Sequence, residues 1–239
     1  MSRRFLLAVF LCAAVRAQTP VVVELFTSEG CSSCPPADLL LTKLENMQPI
    51  AGAHIIALSE HVDYWDTLGW RDPFSSLQFS LRQQEYSDMF HDVGPYTPQM
   101  VIDGVTGFIG SDAGRAMETI AKAARAPKTA VSIASAAGRV SIKAAGVTSP
   151  ADVLLAITES GLLSNVSAGE NQGRRLTHTA VVRSLRVVGK TRSHEPFEAD
   201  VAAHPGKSWK LDMLRAVVIL QDRSKHKILG ASDAALTLQ

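Results

Sequence analysis

The feature that most constrains the fold is a pair of cysteines placed between an apolar run and an amphipathic one. Cys31 and Cys34 are separated by two serines. The preceding residues 21–27 are almost all β-branched or aromatic, the pattern of a strand buried on both faces. Pro35 and Pro36 follow, which the first turn of a helix tolerates, and then leucines at helical spacing. The sequence therefore predicts a strand, a turn, the C-x-x-C pair and a helix, with both sulfurs at the helix N-terminus.

This placement predicts reactive thiols. Unpaired N–H groups at a helix N-terminus carry partial positive charge, which favours the thiolate over the thiol, and the thiolate is the attacking species. We expect Cys31 to be the exposed nucleophile and Cys34 the resolving thiol beneath it. The charge of Asp38, in the first turn of the helix, would oppose the thiolate. The predicted function is reversible dithiol–disulfide exchange, that is, a thiol–disulfide oxidoreductase.

The N-terminus has the pattern of an export signal over residues 1–17. Two arginines precede an apolar run at residues 5–15, and the small residue Ala17 follows. The run is too short to span a bilayer, which needs about 20 residues. Cleavage near Ala17 would remove Cys12 and leave the C-x-x-C pair in an oxidising, secreted or periplasmic compartment. No later stretch predicts a membrane span.

Charge composition argues against nucleic acid as a partner. The chain has 239 residues and a net charge of +1, from 24 basic and 23 acidic residues. No basic run could neutralise successive phosphates. The predicted partners are exported protein thiols or a redox partner protein, and no cofactor or metal is expected.

The order of predicted elements indicates an α/β domain followed by a β-rich one. After the first helix we expect strands at residues 54–59, 100–102 and 105–109, with a hairpin turn at Asp103-Gly104. Helices are expected near residues 75–90 and 113–126. The apolar positions expected to be buried in the first of these helices are Leu77, Leu81, Tyr86, Met89 and Phe90. Beyond Pro127, short alternating runs predict a sandwich-like β domain. The predicted domains are residues 18–127 and 128–239.

A second motif, Thr97-Pro98, stands directly before the predicted strand at residues 100–102. Strand, C-x-x-C and helix, followed by Thr-Pro, hairpin and helix, resembles the thioredoxin fold over residues 21–126. The resemblance implies that Pro98 is cis and packs against the C-x-x-C pair. It also implies that the Thr97 backbone binds the incoming peptide. The predicted fold class is α/β, a thioredoxin-like domain with a helical insert.

A closer resemblance extends over almost the whole chain. Its motifs are residues 24–38, residues 61–66 with Leu68-Gly69-Trp70, Arg82-Gln83 with Tyr86, residues 169–171 through His178, and Val181-Val182-Arg183. They resemble a secreted family called domain of unknown function 1223. Membership implies a thioredoxin-like fold and export, but no substrate, because the family has no settled activity.

The segment after the second predicted strand contains a second group of candidate site residues. His61, Trp65 and Trp70 lie where ligand sites gather in open α/β sheets, beyond the carboxyl ends of the strands. One interpretation is a substrate pocket or lid, with His61 as a proton-transfer group beside the thiols. The other is an aromatic plug whose polar groups satisfy its own backbone.

Three alternatives to redox catalysis stay open on the sequence. The pair could form an inert structural disulfide in a non-enzymatic binding module. It could form half of a zinc site, or bind copper together with His61 or His91. In the second half, one polar cluster predicts either a turn network or a docking surface, without catalysis. Its members are Glu170, Asn171, Arg174, Arg175, His178 and Arg183.

Overall fold

The structure, a computed structural model, describes residues 18–238. The export signal predicted for residues 1–17 therefore lies outside the described residues. Across residues 18–238, no helix combines the length and apolar character that crossing a membrane requires.

All three α-helices of the described residues lie in the first half of the chain. Its strands are β1 (Thr19–Thr27), β2 (Ala53–His61), β3 (Gln99–Ile102) and β4 (Thr106–Ile109). Its helices are α1 (Pro35–Met47), α2 (Leu77–Phe90) and α3 (Ala113–Ala123).

The second half is built from strands and one short 3-10 helix, Leu211–Met213. The strands are β5 (Val131–Ala136), β6 (Arg139–Ala144), β7 (Ala151–Glu159), β8 (Leu162–Asn165), β9 (Arg175–His178), β10 (Val181–Thr191), β11 (Phe197–Ala202), β12 (Leu214–Asp222) and β13 (Ile228–Ala235).

One eight-stranded sheet joins the two halves. Its strand order is β13-β12-β7-β10-β2-β1-β3-β4, and β10 meets β2 where Val181 lies opposite Ser59. The mixed α/β class expected from the sequence is confirmed. The predicted domain boundary at Pro127 falls between α3 and β5, but the large sheet takes strands from both sides of it. The division into two domains stays a prediction.

Helices cover both faces of the sheet around its centre. β1 alternates strictly, directing Val21, Val23 and Leu25 to the core beneath α1 and α3. Val22 and Phe26 point to the opposite core, beneath α2. A second, three-stranded sheet, β11-β6-β5, packs on β7 and β12. β1 is therefore buried on both faces, between α1 and α3 on one side and α2 on the other.

The buried face of α2 differs from the expected one. Leu77 and Leu81 are 61% and 56% exposed, so their expected burial is wrong. Tyr86 is fully buried, and Met89 and Phe90 pack partly buried against the same core. The buried positions of α2 also include Arg82. The physical reason is the charge beneath the helix, because the strands under α2 present acidic side chains that need a cation.

These acidic side chains are Glu24 of β1 and Glu60 of β2, both fully buried. Arg82 Nε donates to Glu24 Oε1 at 2.7 Å, and the Tyr86 hydroxyl donates to Glu24 Oε2 at 2.7 Å. Glu60 Oε1 lies 3.5 Å from Arg82 Nε, and neither Glu60 oxygen finds a hydrogen-bond partner in residues 18–238. One guanidinium thus serves two buried carboxyl groups. Burial raises the pKa of Glu60 well above its ordinary value, and Glu24 adds to the rise against the opposing charge of Arg82.

The strand register gathers several loops at one edge of the sheet. β1 and β2 run parallel, with Thr27 opposite His61, so both strands end at the same edge. β3 runs antiparallel to β1 and begins with Gln99 opposite Phe26. The loop after β1, the loop after β2 and the residue before β3, Pro98, therefore meet at this edge.

Candidate functional site

The two cysteines form a disulfide at the start of α1. The Cα atoms of Cys31 and Cys34 are 5.4 Å apart. Cys34 is the N-cap residue, and its carbonyl accepts hydrogen bonds from Ala37 N at 2.8 Å and Asp38 N at 3.1 Å. The predicted position of both sulfurs at a helix N-terminus is confirmed.

Pro98 lies beside the first turn of α1. The Thr97–Pro98 peptide bond is cis, as the resemblance implied. A Cβ atom placed on Gly110 would lie 3.1 Å from Pro98 Cβ and 3.3 Å from Ala37 Cβ. The two motifs, 64 residues apart in the sequence from Cys34 to Pro98, are thus neighbours across Gly110.

The expected exposure of Cys31 is wrong for this disulfide form. Cys31 and Cys34 are both fully buried, whereas Ser32 and Ser33 between them are exposed. The Ser33 hydroxyl lies 3.3 Å from Cys31 Sγ. The burial arises because segments far along the chain cover the disulfide, which the local sequence around the cysteines does not indicate.

One covering segment is the hairpin of β8 and β9 with its connecting loop, residues 162–178, here called the flap. Asn171 Nδ2 donates to the carbonyls of Glu29 at 2.8 Å and Cys31 at 2.9 Å. Glu170 Oε2 accepts a hydrogen bond from Ser32 N at 3.1 Å. Part of the polar cluster predicted in the second half therefore contacts the C-x-x-C loop itself.

The segment between β2 and α2 provides a second cover. Trp65 Nε1 donates to Thr97 Oγ1 at 2.8 Å, and Trp70 Nε1 donates to Glu29 Oε2 at 2.8 Å. The structure thus brings the predicted Trp65 and Trp70 to the same edge as the disulfide and Thr97. Asp66 accepts from Asp72 N within the segment at 3.1 Å, a bond that the plug interpretation expects. The pocket interpretation stays a prediction.

Two buried histidines lie behind this cover. His61 Nδ1 pairs with Asp72 Oδ2 at 2.7 Å, and His178 Nε2 pairs with Glu29 Oε1 at 2.9 Å. The ring centroids of the histidines are 5.0 Å apart. Their second nitrogens, His61 Nε2 and His178 Nδ1, are buried and have no hydrogen-bond partner within the described part of the chain. Glu29 and Asp72 are also joined, since Glu29 N donates to Asp72 Oδ2 at 2.8 Å. These four side chains form one connected cluster.

The surroundings shift the pKa values of this cluster. Burial lowers the pKa of His61, but Asp72, with help from Asp38 and Glu29, outweighs it and leaves the pKa raised. Burial raises the pKa of Asp72, but His61 and the backbone donors outweigh it and leave the pKa lowered. The pair therefore favours an imidazolium next to a carboxylate.

Asp38 is buried rather than presented to solvent, and its Oδ1 accepts a hydrogen bond from Thr27 Oγ1 at 2.8 Å. Burial raises the pKa of Asp38 despite the nearby His178 and His61. Because a raised pKa favours the neutral carboxyl group, Asp38 opposes a thiolate less than the sequence predicted.

The sequence reasoning missed Glu29 and Asp72, which connect the covering segments to the C-x-x-C loop. A usable signal was present, because Glu29 lies two residues before Cys31 and Asp72 lies two residues after Trp70. The partners themselves were not predictable, since Glu29 and His178 are 149 residues apart.

The copper and zinc alternatives gain no support from the described residues. Over residues 18–238, no group of three or more histidine, cysteine or carboxylate side chains is arranged so that it could hold a metal ion. His61 is engaged with Asp72, and His91 is exposed at the end of α2.

The family model described as Protein of unknown function (DUF1223) matches residues 22–221. The chain belongs to this family. The match to the DUF1223 family includes the C-x-x-C loop, Thr97-Pro98 and the flap. The family description assigns no activity.

Solved structures similar to this DUF1223 chain support its fold. Protein AGR_C_4864 from Agrobacterium tumefaciens is 29% identical, with a TM-score of 0.74, over 93% of this chain and 96% of that chain. HBP35 of Porphyromonas gingivalis is 12% identical, with a TM-score of 0.61, over 92% of this chain and 76% of that chain. The latter likeness concerns the fold alone. No curated protein sequence matches the chain.

Proposed function

We propose that this protein is an exported thiol–disulfide oxidoreductase on a thioredoxin-like scaffold, acting through the Cys31–Cys34 couple. The observation that carries the proposal is the disulfide at the start of α1 beside the cis Thr97–Pro98 bond. The order of β1, α1, β2, β3, β4 and α3 agrees with that scaffold. Export rests on the signal pattern at residues 1–17.

The exchange reaction requires two balanced steps. A substrate thiolate attacks Cys31 Sγ, the Cys31–Cys34 bond breaks, and Cys34 leaves as a thiolate that takes up a proton. A second substrate thiolate then attacks the substrate sulfur of the mixed disulfide and releases Cys31. The substrate loses two electrons and two protons, and the protein gains them. The reverse sequence reduces a substrate disulfide.

The local structure supports this chemistry at three points. The N-terminus of α1 stabilises a thiolate on the departing cysteine. Thr97, whose backbone is proposed to bind the substrate, is held by Trp65 through its hydroxyl. Burial lowers the pKa of His61, but Asp72 outweighs burial and leaves the pKa raised; this imidazole is the group proposed for proton transfer. Trp70 is engaged with Glu29, so its proposed substrate contact would use the ring rather than the N–H.

One observation favours a second candidate function. Because both sulfurs are fully buried, the disulfide could fix the loop of a non-enzymatic binding module. In that case the sulfurs would not exchange with substrates at all.

Disulfide exchange assays separate the two candidates. We expect the wild-type protein to accelerate insulin reduction by dithiothreitol or the refolding of reduced ribonuclease, because both need an accessible redox couple. Cys31→Ser should abolish the acceleration in both assays. Met47→Ser, at an exposed position of α1, is the matched control and should retain it.

Equal rates with wild type and Cys31→Ser in both assays would contradict the proposal and favour the binding module. Circular dichroism of Cys31→Ser should show a native fold, so that a loss of activity reports on the sulfur.

A further inference from the structure

The flap is attached to the molecule differently from the other strands. Within residues 18–238, β8 and β9 pair only with each other and are not part of the eight-stranded or three-stranded sheet. The connecting loop closes on itself, with Val166 N donating to Arg174 O at 3.0 Å and Gly173 N to Val166 O at 2.8 Å. The flap is therefore a small structured unit that can shift without breaking the hydrogen bonds of the main sheets.

The tip of the flap is held by a few contacts to the C-x-x-C loop. Two are the Asn171 Nδ2 bonds to Glu29 O and Cys31 O, and the third is the Glu170 bond to Ser32 N. Asn171 is fully buried, but its Oδ1 has no hydrogen-bond partner among the residues that the structure describes. An unpartnered buried amide oxygen costs free energy in the closed position, and this cost would be relieved in an open one.

The base of the flap has further contacts that would persist when the tip moves. His178 is paired with Glu29, and Gly169 packs on Gly69 and Trp70. These contacts place the hinge near Gly169 and β9, and the moving part around residues 170–172.

Disulfide exchange requires that the attacking atom reach a sulfur along the extension of the S–S bond. A fully buried Cys31 offers no such approach in the closed structure. The flap tip bonds to the backbone on both sides of this sulfur, at Glu29, Cys31 and Ser32, so its displacement would open an approach from this side.

We propose that the flap controls access to the disulfide, with Asn171 and Glu170 as the residues that determine which reagents reach Cys31. The inference deepens the proposed function and rests on it for its biological meaning. Free thiols and phosphines react only in the rare open state, whereas a redox partner protein that displaces Asn171 from the C-x-x-C loop reacts directly.

Access can be measured without a biological substrate. In water, neutral tris(3-hydroxypropyl)phosphine attacks one sulfur, water converts the phosphonium to the phosphine oxide, and both cysteines become thiols. Native oxidised protein is mixed with increasing phosphine, and free thiols are counted by alkylation and mass spectrometry. We expect the wild-type rate to level off at high phosphine, because opening of the flap becomes limiting.

The Asn171→Ala variant should raise that limiting rate by about tenfold or more, since both bonds to the loop are lost. Glu170→Ala, at an exposed position, should raise it about threefold with the fold intact. Gln172→Ala is the matched control in the same exposed loop, and its rate should equal that of wild type.

A general loss of stability must be separated from flap opening. Ile142→Ala, in the core beneath the three-stranded sheet, destabilises the protein far from the flap and should leave the limiting rate unchanged. The proposal would be overturned if the wild-type rate of disulfide reduction stayed proportional to the phosphine concentration and equalled the rates of Glu170→Ala and Asn171→Ala. It would also be overturned if Ile142→Ala raised the limiting rate as much as Asn171→Ala does. None of these outcomes depends on the insulin or ribonuclease assays, so the two proposals fail separately.

Discussion

Asp72→Asn is expected to lower the free energy of unfolding by about 3–5 kcal/mol, the range for breaking a buried ion pair. Asp72 Oδ2 pairs with His61 Nδ1 and also accepts a hydrogen bond from Glu29 N. Its other oxygen accepts from Phe74 N at 2.9 Å. Asparagine would remove the charge and would point its own N–H groups at one of the backbone N–H groups of Glu29 and Phe74, which now donate to Asp72. Urea unfolding of the oxidised protein measures the effect.

The loss should depend on pH in a defined way. The pKa of His61 is raised in the folded protein, so its contribution is complete below about 6.5 and is lost as pH rises through the folded value. The pKa of Asp72 is lowered, so its contribution is present above about 3.9 and is lost as pH falls through the folded value. The difference in free energy of unfolding between wild type and Asp72→Asn should therefore be largest between about pH 4 and 6.5 and smaller at pH 9.

Asp212→Asn is the matched control, because Asp212 is an exposed aspartate on the 3-10 helix and its replacement should change stability by less than about 0.5 kcal/mol. The inference would be contradicted if wild type and Asp72→Asn differed in free energy of unfolding by the same amount at pH 5 and at pH 9. The His61–Asp72 pair would then not titrate as inferred.

Arg82→Met is expected to have a comparable effect on stability, about 3–5 kcal/mol, at the other face of the sheet. The variant keeps the apolar length of the side chain but leaves Glu24 and Glu60 buried without a cation. The Glu24 carboxylate would lose its 2.7 Å bond to the guanidinium, and Gln221 Oε1 would lose a donor at 3.0 Å. Thermal and urea unfolding at pH 7 measure the loss.

Glu60→Gln separates the roles of the two carboxyl groups under Arg82. Because the pKa of Glu60 is raised well above its ordinary value, wild-type stability should fall as pH rises from about 4.3 toward the folded pKa. Glutamine mimics the neutral acid, so Glu60→Gln should lack this decline and be at least as stable as wild type at pH 8. A loss as large as that of Arg82→Met would mean that Glu60 is the ionised partner of Arg82.

Local patterns in the sequence predicted the elements around the site well. The position of Cys34 at the start of α1, the cis bond before Pro98 and the turn at Asp103-Gly104 all follow from short-range rules or from the resemblance. The strand bounds also agree closely, although β2 extends to His61, so that this residue ends the strand instead of following it.

Long-range contacts were beyond these rules. Asn171, which bonds to the Cys31 carbonyl in the buried loop, is 140 residues away in the sequence. The buried face of α2 could not be read from apolar spacing, because Leu77 and Leu81 obey the helical period yet face solvent while Arg82 is buried. Pairing between charges decided that face, and the sequence does not reveal which charges meet.

The reduction potential of the Cys31–Cys34 couple tests the central claim most directly. Equilibration of the protein with glutathione buffers of known ratio at pH 7, followed by alkylation and mass spectrometry, gives the value. We expect a potential above about −300 mV, within the range of proteins that exchange disulfides. A potential clearly below about −300 mV, where structural disulfides lie, would contradict a redox function for this pair.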